Sequence, residues 1–279
     1  MSTPLIFKSS TVSSPVLLMD HFKALNLLEF AREYEKIAVM CGEAGLDYAE
    51  YLLRLCELER SSRERRTLAR RLSLAKFPII KGIESFDFSV IQSVNKSLVL
   101  ELAQGGWIER HENVIALGPS GVGKTHIGLA LGLAACQKGY SVRFITTATL
   151  VHELLEARDE KRLRIVQKQL ANIQLLIIDE LGYVPLSTAG AELLFEVFSR
   201  RYEQGSTLVT SNLPFNEWTS ILGSDRLTGA LLDRLTHHVH ILEMNGNSYR
   251  LAYSKKQKEN LGGTMAKGGV GTSDTKSTS

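Results

Sequence analysis

The chain has 279 residues, 44% of them hydrophobic and 23% charged, so it can bury a core of ordinary size without disulfide staples. Lys and Arg number 33 and Asp and Glu 30, a net charge of +3. That balance excludes a uniformly basic, histone-like protein but leaves room for a local basic patch.

At roughly 150 residues per domain, the length predicts about two domains. Residues 1–16 are polar, rich in Ser and Thr, and are expected to be a disordered leader without a secretory signal. Helical periodicity then runs from Phe22 through Leu25, Leu28, Phe30, Tyr34 and Ile37 to Cys41, with Gly42 as its stop. Asp47 and Glu50 form a variant of the capping box before a second, long helix, which carries Leu52, Leu55, Leu68, Leu72 and Ala75 and ends ahead of Pro78. Residues 17–77 therefore read as a small helical domain. Its last stretch holds Arg60, Arg63, Arg65, Arg66, Arg70, Arg71 and Lys76 against a single acid, Glu64. Arg63, Arg66 and Arg70 share one helix face, the kind of footprint that DNA phosphates require, although a solvated face or an acidic protein partner would look the same.

Residues 78–112 are a connector with Phe86, Asp87 and Phe88, followed by an amphipathic run over 90–103. From residue 113 short apolar runs alternate with helical patterns. Strands are predicted at 113–117, 141–146, 175–178, 207–210 and 239–244. Helices are predicted at 125–138, 148–157, 160–171, 188–204 and 228–237. This alternation predicts an α/β domain, a parallel sheet sandwiched by helices. After residue 253 the chain is Lys, Gly, Ser and Thr, and 254–279 is expected to be a disordered tail. Cys41, Cys56 and Cys136 form no CxxC pair or cluster, which fits free thiols in a reducing compartment. No run approaches the roughly 18 apolar residues of a membrane span, so a cytoplasmic protein without membrane contact is expected.

The chemistry concentrates in four places. The run Gly118-Pro119-Ser120-Gly121-Val122-Gly123-Lys124-Thr125 fits GxxxxGK[ST] between a predicted strand and a predicted helix. Its glycines let the backbone wrap a phosphate, and the helix N-terminus offers N–H groups to an anion. The expected nucleotide cradle is Pro119, Ser120, Gly121, Val122, Gly123, Lys124, Thr125 and His126. Lys124 would reach the β and γ phosphates of ATP, and the Thr125 hydroxyl would ligate Mg²⁺. Leu175-Leu176-Ile177-Ile178 then ends in Asp179 and Glu180, a second Mg²⁺ ligand and a base for the attacking water. Asn212 follows the next predicted strand, at the tip where a side chain can hydrogen-bond that water or the γ-phosphate. Asp225-Arg226, Asp233-Arg234 and Arg250 supply arginines for a phosphate bound elsewhere, often on a neighbouring subunit. His237, His238 and His240 lack a nearby Cys or carboxylate to complete a metal site.

The runs GPSGVGKTHIGLALG, LLIIDELGYVPL, FSRRYEQGSTLVTSNLPFNEW and LTGALLDRLTHHVHILEMNGNSYRL, in that order, resemble the IstB family. These are transposition helper ATPases of bacterial insertion sequences, AAA+ relatives of the DnaC helicase loader. The likeness spans about residues 17–253. It implies an AAA+ P-loop domain over 113–253, preceded by an adenine-side segment over 78–112 and a helical DNA-binding or oligomerisation domain. It also implies DNA-stimulated hydrolysis of ATP. Lys124 and Thr125 resemble the family's Walker A pair, Asp179 and Glu180 its Walker B pair, and Asn212 its sensor I. Arg234 resembles its arginine finger, with Arg226 near enough to compete, and Arg250 its sensor II. A helical insertion after the second strand is also implied, with Lys161, Arg162, Arg164 and Lys168 as DNA contacts. The implied partners are duplex DNA, a transposase and further copies of the chain, with ATP sites between subunits, in a bacterial cytoplasm. Two other readings stay open: a DnaC-like helicase loader acting on single-stranded DNA, and a small-molecule kinase built on the same P-loop.

Overall fold

Five short strands form one all-parallel sheet: β1 (Asn113–Leu117), β2 (Val142–Thr146), β3 (Leu175–Leu181), β4 (Ser206–Ser211) and β5 (Val239–Glu243), in the order β2-β3-β4-β1-β5. The structure, a computed structural model, describes residues 14–91, 93–246 and 248. Arg250, residues 1–13 and the 254–279 tail lie outside the described residues.

The chain divides into two compact units between Arg70 and Arg71, seven positions before the boundary expected at 77/78. The first unit opens with α1 (Ser14–Ala24) and α2 (Leu28–Glu43), so helix begins inside the stretch expected to be a disordered leader. The single helix expected from Phe22 to Cys41 is thus two. Asn26 takes a left-handed φ of 55° between them, a conformation Asn tolerates better than most residues. The break lets Phe22 fold back edge-on against Phe30 and Tyr34, both at 5.6 Å between ring centroids. Helix α3 (Tyr48–Ala75) starts as the capping pattern predicts, with the Glu50 N–H donating to Asp47 Oδ1 at 2.8 Å.

The second unit carries the sheet. Residues 78–91 run without regular structure apart from a 3₁₀ turn at Ile83–Ser85. The amphipathic run at 90–103 becomes helix only over α4 (Lys96–Leu102), because Asn95 caps it by accepting from the Leu98 N–H at 3.1 Å. After α5 (Gly106–Glu109), the strands alternate with α6 (Lys124–Lys138), α7 (Thr147–Asp159), α8 (Leu163–Ala171), α9 (Thr188–Arg201), α10 (Trp218–Leu222) and α11 (Asp225–Thr236). Both α7 and α8 fall between β2 and β3, where the family likeness implies a helical insertion. Leu176, Ile178, Leu150, Leu154, Leu194 and Trp218 lie within the main core cluster. Periodicity alone did not reveal α10, a five-residue turn whose Trp218 is fully buried with its indole N–H donating to Leu213 O at 3.1 Å.

One cation is sunk into this unit. Arg201 is 2% exposed, and its guanidinium donates to the carbonyls of Leu170, Ile173 (2.8 Å) and Ser206 and to Thr207 Oγ1 (3.1 Å). Burial pushes its pKa down to about 10, so it stays charged at neutral pH and ties the end of α8 to the start of β4. Arg201→Met should therefore cost about 3 kcal/mol, because it strands several carbonyls at once, read as a lower denaturant midpoint.

In the first unit the anchor is an anion. Glu59, 4% exposed, accepts from the Glu29 N–H at 2.7 Å and from Arg63 Nε at 2.8 Å and Arg66 Nη2 at 3.1 Å. Burial alone would raise its pKa, but those donors together hold it below the usual carboxylate range. A carboxyl with a lowered folded-state pKa stabilises at neutral pH and loses that contribution as acid protonates it. Melting temperature should fall as pH drops through the carboxylate range, and Glu59→Gln should lower the neutral-pH value and flatten that fall.

Candidate functional site

The site is assembled at the C-terminal ends of the strands. The loop leaving β1 wraps from Gly118 to Gly123 and enters α6 at Lys124. Gly123 sits at φ +95°, and a Cβ there would come within 2.8 Å of the Phe86 ring, so both backbone angle and close packing demand glycine. The Lys124 ammonium donates to the carbonyls of Gly118 at 2.6 Å and Pro119 at 2.8 Å. Next along α6, the His126 ring reaches Ser85 Oγ at 3.0 Å and Gly82 O at 3.3 Å, and burial lowers its pKa. Ser85 Oγ already donates to Gly82 O at 2.7 Å, so two acceptors face His126 Nε2 and that nitrogen carries the proton.

Asp179 and Glu180, adjacent in sequence, have opposite surroundings. Asp179 is 3% exposed and held by three threonines. Thr125 Oγ1 lies 3.0 and 3.1 Å from its two carboxylate oxygens, Thr210 Oγ1 donates to Oδ1, and Thr147 Oγ1 donates to its backbone carbonyl at 3.0 Å. Glu180 is exposed and lines a cavity of about 710 Å³. Ser120 to His126, Tyr183, Thr210 and Asn212 line the same cavity, and its far wall is Pro78 to Lys81, Ser85 to Asp87, Ile91 and Leu129. The structure thus brings Ser120 to His126, Asp179, Glu180 and Asn212 to one place. A cavity of this size suits a nucleotide.

The Thr125 hydroxyl and Asp179 carboxylate form an all-oxygen donor pair, which fits a hard cation held by few protein groups and completed by phosphates, the manner of Mg²⁺. Among the described residues no cluster of three or more His, Cys, Asp or Glu could hold a metal by itself. His240 instead pairs with Glu112 Oε2 at 2.8 Å. Glu112 is lowered to about 2, first by the Arg110 hydrogen bond and then by His240.

The predicted arginines of α11 sit apart from this lining. Arg234, on α11, is not among the residues lining the cavity. Its guanidinium sits 4.7 Å from the Phe195 ring centroid and donates to Ala230 O at 2.8 Å. Arg226, in the first turn of the same helix, is exposed and makes no ion pair among the described residues. On α3, Arg63 and Arg66 turn to Glu59, and Arg63 Nη2 also donates to Asn26 O at 2.9 Å. Both nonetheless remain exposed, with side chains 51% and 44% accessible, as are Arg65 and Arg70. Arg71 is half-buried with its guanidinium beside Gly139, and Lys161, Arg164 and Lys168 are exposed on the turn before α8 and on α8 itself. Arg162 is exposed and ion-paired with Glu160.

Sequence reasoning missed Thr147 and Thr210. The signal for Thr210 was available: a polar residue inside a wholly buried strand needs a bonded partner. Thr147 carried none, because its role depends on how α7 starts against β3.

A parallel sheet in this order, with a glycine-rich loop after β1 and an acid pair on β3, defines a P-loop domain of the AAA+ class. Two solved structures share that fold: a DNA replication initiation factor (TM-score 0.50, 19% identity, 65% of this chain and 55% of that one) and DnaI (TM-score 0.50, 15% identity, 59% and 90%). The family model described as IstB-like ATP binding protein matches residues 20–258. A protein of Geobacillus stearothermophilus named for insertion sequence IS5376 and ATP binding is 38% identical over 235 residues, covering 84% of this chain and 94% of that one. One of Pseudomonas aeruginosa named for insertion sequence IS21 and ATP binding is 38% identical over 232 residues, covering 83% and 88%. The chain belongs to the IstB-like ATP binding protein family. Among the described residues no helix is long and apolar enough to cross a membrane.

Proposed function

We propose that the chain is an ATP-hydrolysing helper of transposition, which assembles on duplex target DNA, bends it and presents it to a partner transposase. The observation that carries the ATPase half is the unequal burial of Asp179 and Glu180 beside the glycine-rich loop. A buried, hydroxyl-bonded carboxylate suits a metal, and an exposed one facing the cavity suits a proton acceptor. The transposition half rests on relatives named for insertion sequences.

In this reading Ser120 to Thr125 wrap the phosphates, and Lys124 leaves its carbonyl partners to meet the β and γ phosphates. Thr125 and Asp179 would hold Mg²⁺, which would supply charge neutralisation to the phosphates when bound. Glu180 takes one proton from water while the water oxygen bonds to the γ-phosphorus and the bond to ADP breaks. Asn212 orients that water. The finger comes from α11 of a neighbouring copy, since neither Arg234 nor Arg226 lines the cavity of its own chain. Arg234 is the assignment from motif likeness, and Arg250 would act as sensor II.

Lys124→Ala should abolish ATP binding in a fluorescent-nucleotide titration, and Glu180→Gln should bind ATP normally while turnover falls about a hundredfold or more. Unchanged turnover in Glu180→Gln would remove Glu180 as the base. For DNA, Arg63 and Arg66 are poor test positions because they hold Glu59. Arg65→Ala combined with Arg70→Ala should weaken duplex binding on every sequence and lower its salt slope by about 2. An unchanged slope would move phosphate contact to Lys161, Arg162, Arg164 and Lys168. Tighter binding to single strands than to duplex would favour the helicase-loader reading.

A further inference from the structure

We propose that Thr210 is a positioning residue for hydrolysis, its one hydroxyl fixing both the carboxylate of Asp179 and the backbone turn that aims Glu180 into the cavity. The proposal rests on the ATPase reading above. Its basis is a break in the sheet. β3 pairs regularly with β4 as far as Ile178 opposite Val209, then resumes at Leu181 opposite Ser211. Two residues of β3, Asp179 and Glu180, therefore face Thr210 alone. Such a bulge leaves one backbone N–H without its ladder partner and redirects a side chain.

Here the abandoned N–H is that of Glu180, and Thr210 Oγ1 accepts it at 3.0 Å. The same oxygen donates its single proton to Asp179 Oδ1, so the hydroxyl is fixed in one orientation. Glu180 also sits at φ 61°, a left-handed conformation costing a non-glycine residue about 1–2 kcal/mol unless its surroundings impose it. The hydroxyl of Thr210, itself 1% exposed, imposes it. In an unbulged strand, Asp179 and Glu180 would alternate to opposite faces of the sheet. The bulge keeps Asp179 buried against Thr125 and turns Glu180 towards the same cavity.

Thr210→Val keeps the side-chain shape and removes the hydroxyl, whereas Thr210→Ser keeps the hydroxyl. Two measurements on the full chain test the idea. In hydrogen–deuterium exchange without nucleotide, the Glu180 amide should exchange about tenfold faster or more in Thr210→Val and near the parent rate in Thr210→Ser. In ATP turnover, Thr210→Val should lose about tenfold or more in kcat with ATP affinity within about threefold of the parent, and Thr210→Ser should recover most of that loss. A Thr210→Val chain with parent exchange or parent kcat overturns the proposal, as does failure of Thr210→Ser to restore them. A parent chain that turns over no ATP overturns the ATPase reading and the hydrolytic role with it. Exchange would still decide whether Thr210 holds the bulge.

Discussion

The grip of three threonines on Asp179 is the constraint around which the nucleotide site is organised. Thr125 comes from the first turn of α6, Thr147 from the first residue of α7 and Thr210 from the end of β4. A buried carboxylate left without donors would either take up a proton or destabilise the fold. With hydroxyls on its side chain and its carbonyl, it stays in place and pins two helix starts and two strands to one point. The glycine-rich loop is therefore held on both sides, by β1 before it and by Asp179 after it. The neighbouring Glu180 is free of this grip except through its backbone, so its side chain stays exposed to the cavity.

Among the described residues, the two other buried charges work at a distance from chemistry and follow the same rule in different forms. Arg201 replaces a counter-ion with backbone carbonyls, which spreads one charge over several dipoles and ties irregular segments between α8 and β4. Glu59 uses two guanidiniums and a backbone N–H to join α3 to the start of α2. That use of Arg63 and Arg66 changes the meaning of the basic stretch on α3. Two of the clustered arginines share one carboxylate while staying exposed, so only part of their charge is compensated within the first unit.

The cavity also shows why the irregular connector belongs to the site. Phe86 packs on Gly123, and Ser85 and the Gly82 carbonyl receive the His126 proton, so the segment from Gly82 to Phe86 is attached to the loop and to the first turn of α6. A side chain at Gly123 would push this wall away. The wall has almost no regular structure because its hydrogen bonds go to a helix side chain rather than to a ladder.

Local rules carried far in this protein. Short, largely apolar runs flanked by polar turns marked each strand to within three residues, with the largest shortfall at the end of β3; burial on both faces of a parallel sheet demands such runs most strictly in the central strands β3 and β4. The loop from Gly118 to Thr125 and the pair Asp179-Glu180 were legible because phosphate and metal chemistry need those residue types at that spacing. The break at Asn26 and the short α10 were not, since each depends on a distant aromatic contact or a buried Trp rather than on periodicity. Glu59, Arg63 and Arg66 share one face of α3 by their spacing, but a linear pattern could not say that Glu59 is buried against the start of α2. The sequence by itself determined the parallel sheet and marked the glycine-rich loop and the acid pair as candidates for handling phosphate. Only the tertiary structure decided that Thr147 and Thr210 hold Asp179 and that a bulge turns Glu180 to the cavity, because hydrogen bonds between residues about 30 positions apart exist only once the strands are side by side.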